Sequence, residues 1–103
     1  MKIYSIVVEG RKWFDKVNGN TYHGGNVIVT SDHGVKVIKI PYQYGYGDQY
    51  LYSAFEELEK AGIVKLEKYS SGGSEVPWRW AKEHGITLVY SAVDVTRKKD
   101  LKE

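Results

Sequence analysis

The stretch that decides the fold is Pro41–Gly62, PYQYGYGDQYLYSAFEELEKAG. Its first half is extended in character and dense in tyrosine. Tyr42, Tyr44, Tyr46, Tyr50 and Tyr52 are interspersed with Gly45, Gly47 and Asp48. Its second half is helical. Leu51, Ala54, Phe55, Leu58 and Ala61 recur at helical spacing as one apolar stripe, while Glu56, Glu57, Glu59 and Lys60 take the other side. Asp48 suits the N-cap, because its carboxylate can accept from backbone amides two or three residues on. Gly62 suits the left-handed residue that follows a helix end. The stretch reads as a strand exit, a glycine-flexed aromatic loop and a capped helix.

Upstream of it the chain reads as strands. Ile3–Val8, IYSIVV, is apolar on both faces and predicts a well-covered inner strand. Trp13–Val17 resumes extended structure after the polar interruption Glu9-Gly10-Arg11-Lys12. Asn18-Gly19 readily supplies the positive φ of a hairpin turn. The return strand then runs from Asn20 to Thr30, with Gly24-Gly25 marking a bulge or a close backbone approach. Ser31-Asp32-His33-Gly34 is a second turn, and Val35–Ile40 a third strand. Strands joined by turns this short form an antiparallel meander.

Downstream, Ile63–Tyr69 alternates imperfectly and is expected to be a further strand; residues 70–74 read as a loop. Pro77 opens a short helix through Trp78, Trp80 and Lys82, and Gly85 stops it. Ile86–Val95 is a closing strand that can pair beside the first in the sheet centre, and the charged run 96–103 is expected to fray. The class is α+β. A mainly antiparallel sheet carries one long and one short helix on one face, in a single domain spanning 1–103.

Composition narrows function. The 103 residues, 42% of them hydrophobic, suffice for one core without staples. With no cysteine, disulfides, thiolate catalysis and cysteine zinc sites are excluded together. The apolar runs are too short for a bilayer-spanning helix. Strand-like alternation from Ile3 leaves no room for a signal peptide, so a cytoplasmic location is expected. Fifteen Lys and Arg against 13 Asp and Glu, net +2, are too balanced for bulk charge to point to nucleic acid. The unusual feature is the 14% aromatic content, with nine tyrosines and three tryptophans. Such rings, apolar in body and polar at the tip, suit partly buried surfaces and interfaces.

Four groups of residues carry candidate chemistry. Arg11, Lys12 and Lys16 flank Trp13 and Phe14, and basic groups interleaved with rings suit phosphate and base contact. The other reading is a solvated hairpin whose rings cover the core. Arg97, Lys98 and Lys99 extend this basic patch if the two segments meet in space. Tyr42, Tyr44, Tyr46 and Tyr50 form a second aromatic group, able to stack on bases or on a protein; Gly45-Tyr46-Gly47 before a helix also invites a phosphate reading, which Asp48 at the cap opposes. Trp78 and Trp80 cannot share a helix face, so one is expected in the core and the other at the surface. Among His23, His33 and His84, only His23 lies among polar neighbours and is a weak acid–base candidate. A metal site from His23, Asp32 and His33 matches no known spacing, and no motif calls for a cofactor.

Together, Trp13-Phe14-Asp15, Gly19-Asn20-Thr21-Tyr22-His23 and Tyr44-Gly45-Tyr46-Gly47-Asp48-Gln49-Tyr50-Leu51 resemble a group of small phage and mobile-element proteins. The ending Asp94-Val95-Thr96-Arg97-Lys98-Lys99-Asp100-Leu101 is similar to the ending of that group. The resemblance covers most of the chain and brings no established activity. It implies a viral or mobile-element setting inside a prokaryotic host cell. The sequence reading is then a non-enzymatic binding module for DNA, RNA or a nucleic-acid-processing partner. The alternatives are an inhibitor of a host protein and a small histidine-dependent nuclease. Self-pairing through an exposed edge strand, giving a homodimer, fits any of these.

Overall fold

The computed structural model describes residues 1–68 and 75–102. Strands β1 (Ile3–Asp15), β2 (Asn20–Ser31) and β3 (Gly34–Tyr44) form the meander. Helices α1 (Gln49–Lys60) and α2 (Pro77–Glu83) follow, then strand β4 (Thr87–Val95) and a 3-10 helix, Lys98–Lys102. The sheet order is β3-β2-β1-β4. β1 runs antiparallel to β2 and parallel to β4, so the sheet is α+β in class and antiparallel except at one edge. β4 does pair beside β1, but as an edge strand; the inner strands are β1 and β2.

The β1–β2 turn is wider than the Asn18-Gly19 pair alone. Asp15 and Asn20 are the last paired residues, and Asp15 organises the connection. Its Oδ1 accepts from the Val17 and Asn18 amides, its Oδ2 accepts from the Asn18 side chain at 2.8 Å, and its carbonyl accepts from the Gly19 amide. These bonds, led by the Asn18 side chain, hold the Asp15 carboxyl below its usual range.

One sheet face is covered by both helices. Ile6 and Val8, Val27 and Val29, and Ile40 meet Leu51, Ala54, Phe55 and Leu58 of α1 and Trp80 and Ala81 of α2. Phe55 and Trp80 contact edge to face at 6.0 Å between ring centres. The buried side of α1 is wider than its apolar stripe, since Tyr50 and Ser53 are also covered, whereas Ala61 lies at the exposed C-cap. Asp48 sits at the N-cap but its side chain caps nothing; the turn is closed by backbone bonds from the amides of Gln49 to Tyr46 and Leu51 to Asp48. Gly62 takes a φ of 74°, and the Ile63 amide returns to the Leu58 carbonyl, the expected αL ending.

Two further expectations give way. Val64–Lys68 is not a regular strand; Val64 and Leu66 plug the core while Glu59 holds the Leu66 amide at 3.3 Å. Tyr69 and the loop expected at 70–74 lie outside the described residues. The segment expected to fray instead forms the 3-10 helix through Lys102, with Leu101 only 1% exposed. It packs on the sheet face opposite the helices, where a Cβ on Gly24 would come within 2.7 Å of the Leu101 carbonyl oxygen. The Arg11 guanidinium donates to the Asp100 carbonyl at 3.1 Å, and Arg97 pairs with the Asp100 carboxylate at 3.3 Å. One anchored apolar residue and one long-range cation thus order a run whose charge alone suggested solvent.

Truncating that anchor tests the docking. Leu101→Ala is expected to destabilise the fold by about 2–5 kcal/mol in denaturant unfolding, the usual cost of emptying a buried leucine site. A frayed tail would show no change.

Candidate functional site

The sequence singled out a basic–aromatic hairpin, a basic run at Arg97–Lys99 and a tyrosine loop, and the sheet register decides which of their residues meet. Arg11 pairs with Gly24, Trp13 with Tyr22, and Tyr22 with Tyr44. Because Gly24 points at Leu101, the alternation of side chains puts Arg11, Trp13, Tyr22 and Tyr44 on the face opposite the helices. A register shift between His23 and Gly25 against β3 brings Tyr42 onto this face as well. Trp13 and Tyr22 stack at 5.9 Å, Tyr22 and Tyr42 at 5.1 Å with planes 11° apart, and Tyr44 meets Tyr22 edge-on at 5.8 Å. The result is an aromatic row across three strands, at the end of the sheet near the 3-10 helix.

The basic residues divide by function. Lys98 lies with Nζ 5.2 Å from the Tyr42 ring centre, so the 3-10 helix brings a cation onto the row. Lys99 and Lys16 are exposed. Arg11 and Arg97 are occupied in holding the 3-10 helix through Asp100. Lys12 pairs with His23 and therefore points to the helix side, away from the row.

The tyrosine loop also divides. Tyr44 is 60% and Tyr46 73% exposed. Tyr50, expected at the binding surface, is 4% exposed and rests on Gly10, where a Cβ would come within 2.5 Å of its ring. It belongs to the core, because its place in the first turn of α1 aims it at β1 rather than at solvent. Tyr46 is not aligned with Tyr42 and Tyr44, since β3 ends at Tyr44 and Gly45, at φ 156°, turns the chain before it. Tyr44, Tyr46, Gln49 and Tyr52 instead border an open hollow of about 520 Å³. Trp80 is core and Trp78 is 53% exposed, the division expected of their spacing.

His23 is fully buried beneath this hollow. Its Nδ1 is 3.2 Å from the Gly45 carbonyl and its Nε2 2.8 Å from Ser53 Oγ. A carbonyl only accepts, so Nδ1 carries the proton and the Ser53 hydroxyl donates to Nε2. The ring ties the tyrosine loop to β2 and α1. Burial pushes its pKa down, opposed by the Gly45 bond. His33 lies in the β2–β3 turn beside Asp32 at 3.7 Å, and His84 caps α2, its Nδ1 2.8 Å from the Trp80 carbonyl. The histidines therefore do not converge, and His23, Asp32 and His33 do not assemble; among the described residues no group of three or more His, Asp or Glu is placed to hold a metal. No described helix is long and apolar enough to cross a membrane.

Tyr22 is the site residue that the sequence reading omitted, although it is the centre of the row. The signal was present in the turn: once Asp15 is taken as the residue that closes it, Trp13 and Tyr22 face one another. No family model, curated protein or solved structure matches the chain.

The buried imidazole has a pH signature. Its folded pKa is depressed below the ordinary 6.5, so the unfolded chain binds the proton more readily. The stability it contributes is present above about pH 6.5 and is lost as pH falls through the folded value. Unfolding free energies measured across this window are expected to drop for the wild type and to be flatter for His23→Gln. Ser53→Ala, which strands Nε2, is expected to cost about 1–3 kcal/mol at neutral pH.

Proposed function

We propose that this chain is a small non-enzymatic binding module that takes single-stranded nucleic acid across the aromatic row, in a viral or mobile-element setting. The observation that carries the reading is the stack of Trp13, Tyr22 and Tyr42 with Lys98 over its end and Tyr44 exposed beside it. The stacked rings hold one another rigid on the sheet, and the exposed Tyr44 beside them offers a ring to bases; every base has a face to stack, so such contacts tolerate sequence. Lys98 lies over the row, where it can neutralise a backbone threading past; Lys99 follows it on the 3-10 helix and, with the exposed Lys16 after β1, is taken to add to this charge. A net charge of +2 does not draw polyanions to the whole surface, so affinity depends on this local cluster. A duplex hides its base faces, which favours the single strand.

A second reading, an interaction module for a host protein, is favoured by one different feature. Trp78 is exposed on α2, on the helix side of the molecule and apart from the row. A partner held there would survive nuclease treatment and be lost with Trp78→Ala.

Fluorescence anisotropy with labelled single-stranded and duplex oligonucleotides of DNA and RNA, titrated across a salt series, tests the first reading. Binding is expected to weaken with salt and to favour single strands. Tyr44→Ala is expected to cost about 1–3 kcal/mol of affinity. Lys99→Ala is expected to reduce the logarithmic salt slope by about 0.7. No binding to any oligonucleotide even at low salt removes the reading.

A further inference from the structure

We propose that the free edge of β4 is a homodimer interface, with two copies pairing antiparallel about a two-fold axis through Ser91, so that two four-stranded sheets become one continuous sheet. This rests on the edge itself and not on the nucleic-acid reading.

β4 is long for an edge strand, Thr87–Val95, and among the described residues its backbone pairs only with β1. An edge of this kind presents a row of unpaired amides and carbonyls, which proteins ordinarily blunt with lysine, proline or a bulge. The opposite edge does so. β3 carries Lys36, Lys39 and Pro41, and its ladder is broken by a register shift. Full overlap of β3 with its own copy would set Lys39 against Lys39. β4, TLVYSAVDV, has no lysine, arginine or proline, and Asp94 is its one charge.

The register follows from the sequence of the strand. Only an axis through Ser91 pairs every residue from Thr87 to Val95. It sets Val89 against Val93 of the other copy on the open face, where these side chains are 52% and 60% exposed. On the helix face it sets the large ring of Tyr90 against the small Ala92, and Leu88 against Asp94. No like charges oppose one another, and Thr87 meets Val95, both β-formers. The strand is thus self-complementary, as an isologous interface requires. In this register a second copy matches exposed Val89 with Val93 twice and opposes no like charges, which makes it the occupant of the edge.

The absence of cysteine makes a clean test, since any thiol introduced is the only one. Cα atoms facing each other across an antiparallel pair lie about 4.5–5.5 Å apart, within disulfide reach. Sedimentation of the wild type is expected to give twice the 11.8 kDa chain mass. Ser91→Cys, a near-isosteric change at an exposed position, is expected to form a covalent dimer under mild oxidation. Lys39→Cys at the centre of β3 and Val89→Cys, whose own copy lies across the axis several residues away, are expected to stay largely monomeric on non-reducing gels. A charge exchange checks the register without thiols. Val89→Lys and Val93→Glu are each expected to be monomeric, and their mixture to recover a heterodimer in which one Lys–Glu pair faces across the strands. Circular dichroism of each variant establishes that it is folded; should Val89→Lys not fold, Val89→Ser mixed with wild type replaces it and is expected to raise the dissociation constant. A monomeric wild type at all concentrations overturns the proposal. So does a dimer whose Ser91→Cys variant cross-links no better than Lys39→Cys.

Discussion

The rest of the structure depends on a notch of glycines in the middle of the sheet. Gly10 pairs with Gly25, and Gly24 pairs with Arg11 in the next step of the ladder. On one face the missing side chain at Gly10 lets the Tyr50 ring of α1 lie against β1. On the other, the missing side chain at Gly24 lets the Leu101 backbone lie against β2. Gly25 itself, at φ 135°, approaches the Glu9 carbonyl more closely than any side chain would permit. Two elements far apart in sequence are therefore seated at one height on opposite sides of a single layer. Interiors pack at the density of solids, so a sheet offering an ordinary surface here would hold both elements away.

From this notch the site follows. Seating the 3-10 helix against Gly24 carries Lys98 to Tyr42 and engages Arg11 with Asp100. Seating α1 through Tyr50 fixes the height of Ser53, and Ser53 fixes His23. His23 in turn holds Gly45, from which Tyr44 and Tyr46 leave on diverging paths. One buried imidazole and one buried leucine thus place the aromatic groups that face solvent. The residues that shape the surface are mostly not on it.

The open face is not uniform. Near the 3-10 helix its inner strands and β3 carry Trp13, Tyr22 and Tyr42, with Lys98 over Tyr42. Its exposed aliphatic side chains lie on the edge strands, Val89 and Val93 on β4 and Val35 and Val37 on β3. The proposed association along β4 would leave the stack of Trp13, Tyr22 and Tyr42 uncovered. In a continuous two-fold sheet the two stacks would share one face.

Much of this was legible in the sequence. The strands of the meander, the helix from Gln49, the turn at Gly62, the assignment of Trp80 to the core and Trp78 to the surface, and the α+β class all follow from local rules. Periodicity and turn chemistry act within a few residues and need no partner. What only tertiary structure decided were pairings across distance. Tyr50 looked like its exposed neighbours because loop and helix residues share one composition, and only the presence of Gly10 opposite makes it core. Tyr22 looked unremarkable because its importance lies in the register that sets it between Trp13 and Tyr44. The run after Val95 looked solvated because charge dominates it, and one leucine is too weak a signal without the close approach of its backbone that Gly24 allows. Local propensity is written in neighbouring residues. A contact between residue 24 and residue 101 is a property of two surfaces, and neither exists until the chain has folded.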